Sequence, residues 1–218
     1  MSDQLGDRMK AYEACSALML PRRMPLIVRV DGRAFHTLTA SMDKPFDERF
    51  CAAMVSAARA VAGEMQGFVA GYVQSDEASF YLQDWAELDT EAWFGKGLQK
   101  IVSLSASLMS VYFTLALARV GTFDARAFVL PETEVANYFL WRAKDWSRNS
   151  LSMFARANFS HKQLHGAGRN DMHEMLHGVG KNWTIDLPES TRNGTFIFKD
   201  RVRTDVLPTY ASVAEALK

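Results

Sequence analysis

The sequence predicts an α+β fold. Three observations carry that prediction: the order in which strand-like and helix-periodic segments alternate, a hairpin signal with acids at its turn, and a helical second half that follows without a linker. A helical pattern over residues 6–20 ends at Pro21. Leu26-Ile27-Val28-Arg29-Val30 is then a short β-branched run that stops at Asp31-Gly32, so it reads as a strand ending in a carboxylate. Over residues 45–66, Phe46, Phe50, Met54, Val55, Ala58, Val61 and Met65 recur near helical spacing, and Gly67 closes the segment. Phe68 to Gln74 and Ala78 to Leu82 flank Ser75-Asp76-Glu77, which gives two strands joined by an acidic turn. Trp93 to Arg119 reads as one long helix, and Phe123 to Leu130 as a strand that Pro131 ends.

Strand, helix, strand, strand, helix, strand is the ferredoxin-like βαββαβ order, an antiparallel sheet with two helices on one face, and polymerase palms share it. Beyond it, Glu132 to about Ala157 predicts a further helix, helical pattern continues to about His177, and Thr195–Lys199 is a possible last strand. With no repeat or linker in between, residues 1–131 read as a palm-like catalytic core. Residues 132–218 read as a mostly helical elaboration packed on it within one compact domain.

Composition narrows the class. The 218 residues are 48% hydrophobic and 23% charged, which excludes disorder, collagen and coiled coil. Net charge is zero, yet residues 141–218 hold 12 basic and 8 acidic side chains against 13 and 17 before them, so a polyanion-facing surface belongs in the second half. Only Cys15 and Cys51 are cysteines, and the opening MSDQLGDRMK has no apolar signal core, which leads us to expect a cytoplasmic protein without disulfides. Both cysteines sit among Ala and Met and are expected to be small buried residues. Leu104 to Ala118 is shorter than the ~20 residues that span a bilayer and contains Ser105, Ser107, Ser110 and Thr114, so a buried helix and no membrane partner are expected.

The chemistry concentrates at one edge of the predicted sheet. Asp31 ends the first strand and Asp76 sits at the hairpin tip, and in this topology those strands are neighbours. Two such carboxylates repel unless a divalent cation lies between them. Magnesium suits a site of carboxylate, carbonyl and phosphate oxygens, and Gly32, lacking a Cβ, offers its carbonyl as a further ligand. The turn Asp31-Gly32-Arg33-Ala34-Phe35-His36 can expose successive backbone N–H groups to a triphosphate, with Arg33, His36 and Lys44 as cationic donors. Read alone, each feature is equally compatible with ordinary turn chemistry.

Five blocks in order carry a more specific signal: Arg29 to His36, Tyr72 to Phe80, Phe123 to Arg126, Asn137 to Arg142 with Asp145, Arg148 and Asn149, and Phe159 to Leu164. On these the sequence resembles the tRNA(His) guanylyltransferase family, within it the shorter guanylyltransferase-like branch. The resemblance implies a nucleotidyltransferase that extends the 5′ end of tRNA in the 3′-to-5′ direction, activating the 5′ phosphate with ATP or GTP and preferring GTP for addition. It implies two Mg²⁺ ions held by Asp31, the Gly32 carbonyl and Asp76, and Glu77 as a third acid; read from the residues alone, Glu77 either helps that pair or only pairs with a base. Asp31 to His36 (Asp31, Gly32, Arg33, Ala34, Phe35, His36), Ser75 and Asp76 match the nucleotide-binding segments. Cytoplasmic location and a homotetramer are also expected.

Where the tRNA(His)-specific enzymes have a His-Ile-Asn-Asn block, this chain has Ser147-Arg148-Asn149-Ser150, which points to the branch that repairs 5′-truncated tRNA by templated addition. Arg142, Lys144, Arg148, Arg156, Lys162 and Arg169, with Asp145 the single acid among them, form a basic stretch. Together with Lys96 and Lys100 it could track an RNA backbone. From it, Lys96, Lys100, Arg148, Asn149 and Lys162 are the candidate RNA or triphosphate contacts. The alternative activity is a palm-type cyclase or dinucleotide synthetase that needs no RNA primer and no such track; a non-enzymatic RNA-binding module is a third reading that Asp31 and Asp76 oppose.

His173-Glu174-Met175-Leu176-His177 literally matches the zinc pattern H-E-x-x-H, but no third histidine follows. Trp141, Trp146, Phe139, Met153 and Phe154 are expected to be core, with at most one free to stack on a base.

Overall fold

The computed structural model describes residues 4–218; residues 1–3, the first of the opening segment, lie outside the described residues. The palm strands are β1 (Leu26–Gly32), β2 (Phe68–Gln74), β3 (Glu77–Leu82) and β4 (Phe123–Val129). Its helices are α1 (Gln4–Ala14), the single turn α2 (Phe35–Leu38), α3 (Glu48–Glu64) and α4 (Leu98–Leu117). Beyond them come α5 (Val135–Asn158), α6 (His161–Leu164), α7 (Arg169–Gly178), α8 (Trp183–Asp186), α9 (Glu189–Asn193), β5 (Thr195–Ile197), β6 (Val202–Arg203) and α10 (Tyr210–Ala216). The sheet is antiparallel throughout, in the order β4-β1-β3-β2-β5-β6. Its first four strands follow the predicted ferredoxin-like order, and the last two show that the elaboration is not only helical: it widens the sheet.

Both faces of the sheet are covered, which is why Ile27 on one face of β1 is as apolar and buried as Leu26, Val28 and Val30 on the other. Leu26, Val28 and Val30 pack with Phe80 and Leu82 against α3 and α4, through Met54, Ala58, Ile101, Met109 and Phe113. Ile27, Tyr72 and Tyr81 face the other way, onto Val135, Tyr138 and Phe139 of α5 and Val213 of α10. A smaller cluster of Leu151, Phe154, Leu176 and Trp183 ties α7 and α8 to the far half of α5.

Several expectations need correction. The first helix stops at Ala14, and Met19 then runs extended to bridge Gly97. The long helix is broken before it starts: Phe94 and Gly95 have φ of 47° and 58°, so Trp93–Lys96 is a separate tight turn and α4 begins at Leu98. At 20 residues and a mean hydropathy of 1.5, α4 is long and apolar enough to cross a membrane. Only its Ile101, Ser105, Met109 and Phe113 stripe is buried, while Val111 and Leu115 are exposed, so it is a half-buried palm helix rather than a buried one. Cys15 and Cys51 are both exposed rather than buried, Cys51 among the residues that line a cavity.

Candidate active site

β1 and β3 pair so that Asp31 stands opposite Glu77, and the Gly32 N–H donates to the Asp76 carbonyl at 3.0 Å. That bond fixes the end of the first strand against the hairpin tip, where Ser75 takes the left-handed conformation the turn requires (φ 47°). Asp31 and Asp76 are thereby brought to one sheet edge, as the topology implied. Among the described residues neither carboxylate has an ion-pair partner. Burial, and after it the charge of Asp31, push the Asp76 carboxyl above the usual carboxylate range, with a hydrogen bond from Ser75 pulling part of the way back. No group of three or more His, Cys, Asp or Glu side chains forms a metal cage among the described residues. Two unneutralised carboxylates beside a backbone carbonyl are, however, an all-oxygen donor set of the kind that fits magnesium, which keeps waters and substrate oxygens as its other ligands.

Of the two roles expected for Glu77, the structure shows the pairing with a base and not a third catalytic acid. It is the first residue of β3, its side chain turns to the α5 face, and Arg142 holds both its oxygens, Nε to Oε1 at 2.8 Å and Nη2 to Oε2 at 2.7 Å. Gln74 adds a bond to Oε1 at 3.2 Å, and Arg29 Nε lies 4.0 Å from Oε2. Burial pushes the Glu77 carboxyl up, and Arg142 and then Arg29 counteract it. With its charge matched, Glu77 anchors α5 to the hairpin instead of adding a third free carboxylate to the edge. Arg142 itself had been grouped with the basic surface. It lies on the inward stripe with Tyr138, Phe139 and Trp146, and a buried arginine on an apolar stripe is the signal that a carboxylate partner waits opposite.

The loop after β1 splits into parts with different duties. Phe35 is a core residue, its ring within 5.0–5.9 Å of those of Phe123, Phe113 and Phe50, so its side chain is closed to a nucleotide. A Cβ on Gly32 would sit 2.5 Å from the Phe35 ring, so the glycine is needed here for close packing as well as for an open carbonyl. The Arg33 N–H is already bonded to the Thr122 carbonyl at 2.8 Å, which removes it from any anion nest, while the Arg33 side chain is exposed. Ala34 takes the left-handed conformation (φ 56°) that aims the amides of Phe35 and His36, at the start of α2, away from intrahelical acceptors. His36 is exposed, and Lys44 donates to the Thr39 carbonyl at 2.9 Å.

His36, Lys44, Ser75 and Asp76 line one cavity of about 780 Å³. Its walls also include Phe46, Asp47, Gln74, Trp146, Met153, Thr191 and Thr195, so residues from both ends of the chain enclose it. Asp47 caps α3 by accepting from the N–H groups of Arg49 and Phe50, and the Arg49 guanidinium and Phe50 amide hold its carboxyl down at about 2. A second groove, about 930 Å³ between α3 and Phe198, contains none of the acids.

The expected RNA contacts fare unequally. Lys96 is not a contact: it is 1% exposed, its ammonium pairs with Asp84 at 3.1 Å and donates to the carbonyls of Pro21 and Met24, because the turn before α4 points it inward. Lys100 is exposed and lies over the Phe94 ring at 4.8 Å. Arg148 and Asn149 are exposed on α5, both bonded to Asp145, and Lys162 is exposed on α6. None of these four lines the cavity. His173 packs edge-on to Trp183 at 5.9 Å, and burial lowers its pKa, which gives the H-E-x-x-H match a packing role. Phe139, Trp146 and Phe154 are core, and Trp141, beneath the Arg142 guanidinium, is the exposed one that the sequence left room for.

The model of the tRNA(His) guanylyltransferase family matches residues 6–131. The chain belongs to that family. Its members are nucleotidyltransferases, and the match spans both acids and the whole palm. The chain is 42% identical to a bacterial tRNA(His) guanylyltransferase-like protein solved in complex with ATP, with a TM-score of 0.89 over 93% of this chain and 92% of that one. It is 38% identical to a bacterial guanylyltransferase-like protein solved in complex with GTP, TM-score 0.76, covering 92% and 89%. A probable tRNA(His) guanylyltransferase of Dictyostelium discoideum is 28% identical over 93% of this chain and 85% of its own length.

Proposed function

We propose that this protein adds nucleotides, GTP by preference, to the 5′ end of tRNA in the 3′-to-5′ direction, dependent on magnesium, and that its task is templated repair of 5′-truncated tRNA. The observation that carries the reading is the contrast at the sheet edge: Asp31 and Asp76 are brought together without a cation, while Glu77 beside them is neutralised by Arg142. Asp31, the Gly32 carbonyl and Asp76 would hold the metal. The chemistry such ions supply when bound is activation of a hydroxyl nucleophile and neutralisation of charge on the departing pyrophosphate. The chain's own part is to orient the triphosphate, through the amides of Phe35 and His36 and the side chains of His36 and Lys44 that line the cavity. Nucleotide binding by two similar bacterial proteins supports ATP and GTP as substrates. Repair rather than tRNA(His) marking is favoured by Ser147, which stands where that specialised block begins and is buried on α5, bonded to Arg169.

The test is incubation with Mg²⁺, ATP and labelled GTP, using a tRNA lacking its first nucleotide opposite C and the same tRNA opposite A. Extension opposite C alone is expected. Extension opposite both would restore the tRNA(His) activity, and conversion of GTP to a dinucleotide without extension would sink the tRNA reading altogether.

A further inference from the structure

The groove between α3 and the end of β5 carries two cations that the fold leaves without partners. Arg59 on α3 and Lys199, two residues past β5, both line it; both are exposed, and neither has a hydrogen-bond or ion-pair partner among the described residues. The acids nearest them in sequence are turned to other duties. Glu64 accepts from the Tyr112 hydroxyl of α4 at 2.9 Å, and Asp200 pairs with Arg201 at 3.1 Å. No acid lines the groove among the described residues, and apart from Ser56 and Gln66 the rest of its lining is apolar or small. It is therefore a positively charged groove with an apolar lining.

This groove and the nucleotide cavity share a wall. Ala52 and Val55 line both, and β5 runs from one to the other, with Thr195 in the cavity and Ile197 in the groove. A polyanion whose end reacts in the cavity can leave along that wall, past Arg59 and Lys199. Cations beside an apolar lining fit a single strand, whose bases are free to lie against it, better than a duplex, which turns mainly phosphate and sugar outward. A tRNA brings one such strand: its 5′ end stands beside the unpaired 3′ strand of the acceptor stem. We infer that the groove holds that 3′ strand, with Arg59 and Lys199 on its phosphates, so that the template nucleotide next to the stem is presented at the cavity. The inference rests on the proposed tRNA reading of the nucleotide site and extends that site beyond the sheet edge.

Equilibrium binding of three probes tests it: a 5′-truncated tRNA, the same tRNA trimmed back to its last base pair, and GTP with Mg²⁺. The proteins are the wild type, the double variant Arg59→Gln/Lys199→Gln, and Gly63→Leu. Gly63 lines the groove and a Cβ there would meet nothing within 4 Å, so the leucine narrows the groove without a clash. Both variants should bind the full tRNA about tenfold more weakly than the wild type, and the trimmed tRNA and GTP as the wild type does. Trimming should cost the wild type the same factor. The double variant's affinity for the full tRNA should also depend less on salt, its log–log slope shallower by about 1.4, at about 0.7 for each phosphate contact to a single strand. Full and trimmed tRNA weakened alike would overturn the inference, because the cations would then act on the duplex. Full tRNA bound by either variant as tightly as by the wild type would overturn it too and leave the groove to an acidic polypeptide; GTP binding and the nucleotide site would stand in both cases. A wild type that binds GTP and not the tRNA would overturn the tRNA reading and the inference together.

Discussion

β3 has an aspartate just beyond each end, and the two are treated in opposite ways. Asp84, after the strand, is saturated: Lys96 at 3.1 Å, Arg22 at 3.1 Å and the Arg23 amide all converge on it. Burial alone would raise its carboxyl, but the Arg23 amide and Lys96 outweigh that and hold it below the usual range. Asp76, before the strand, has no cation; burial and Asp31 leave it above that range. Asp84 is the more buried of the two and yet the one held low, so partnership, not burial, makes the difference. A carboxylate that the fold has paired holds the N-terminal segment to α4; one that the fold has left unpaired is available to a ligand.

The comparison can be broken from the functional end first. Asp76→Asn should lower nucleotide addition by about 10³-fold, several kcal/mol of transition-state stabilisation. The ligand-free protein should melt at the same temperature or higher at neutral pH, because a carboxyl whose pKa is raised on folding opposes the fold once it ionises. A variant that loses stability along with activity would show that Asp76 is structural.

At the other end the signs reverse. Lys96→Met strands Asp84 in the interior and should cost about 3 kcal/mol in denaturant unfolding. Addition per folded molecule should persist, and a Lys96→Met protein that is stable but inactive would return Lys96 to the substrate. The smallest effect sharpens the contrast with a third aspartate. Asp47→Ala removes the α3 cap and should cost about 1 kcal/mol. Its carboxyl falls on folding from 3.8 to about 2, so the cost should be present in full above pH 4 and vanish as the pH drops through 2. Urea melts of wild type and variant across that range measure it.

Much of this was legible in the residues. The βαββαβ order, the strand ending at Asp31 and the acidic hairpin tip follow from local pattern, and the topology then places both acids on neighbouring strands. What local pattern could not show is where charged side chains turn once the chain has folded. Lys96 looks like part of a basic helix face until the glycine-rich turn at Gly95 and Gly97 rotates it inward. Phe35 lies in a phosphate-like loop and yet belongs to the core, because Gly32 opens room for its ring. Glu77 is one residue from Asp76, and strand alternation sends the two side chains different ways. The far wall of the cavity comes from Thr191, Thr195 and Thr204, whose short elements carry little periodicity of their own.

The wedge of Phe35 between two glycines also constrains how this chain can change. A side chain at Gly32 would strike Phe35, and one at Gly121 would come within 2.5 Å of Phe113 and 3.1 Å of Phe35. The turn that offers its carbonyl at the acidic edge and the ring stack that holds α4 to the sheet therefore cannot drift apart one substitution at a time. A larger residue at Gly32 is tolerable only in a lineage where Phe35 has already become smaller, and one at Gly121 only where Phe113 has, and either lineage would first pass through a cavity in its core.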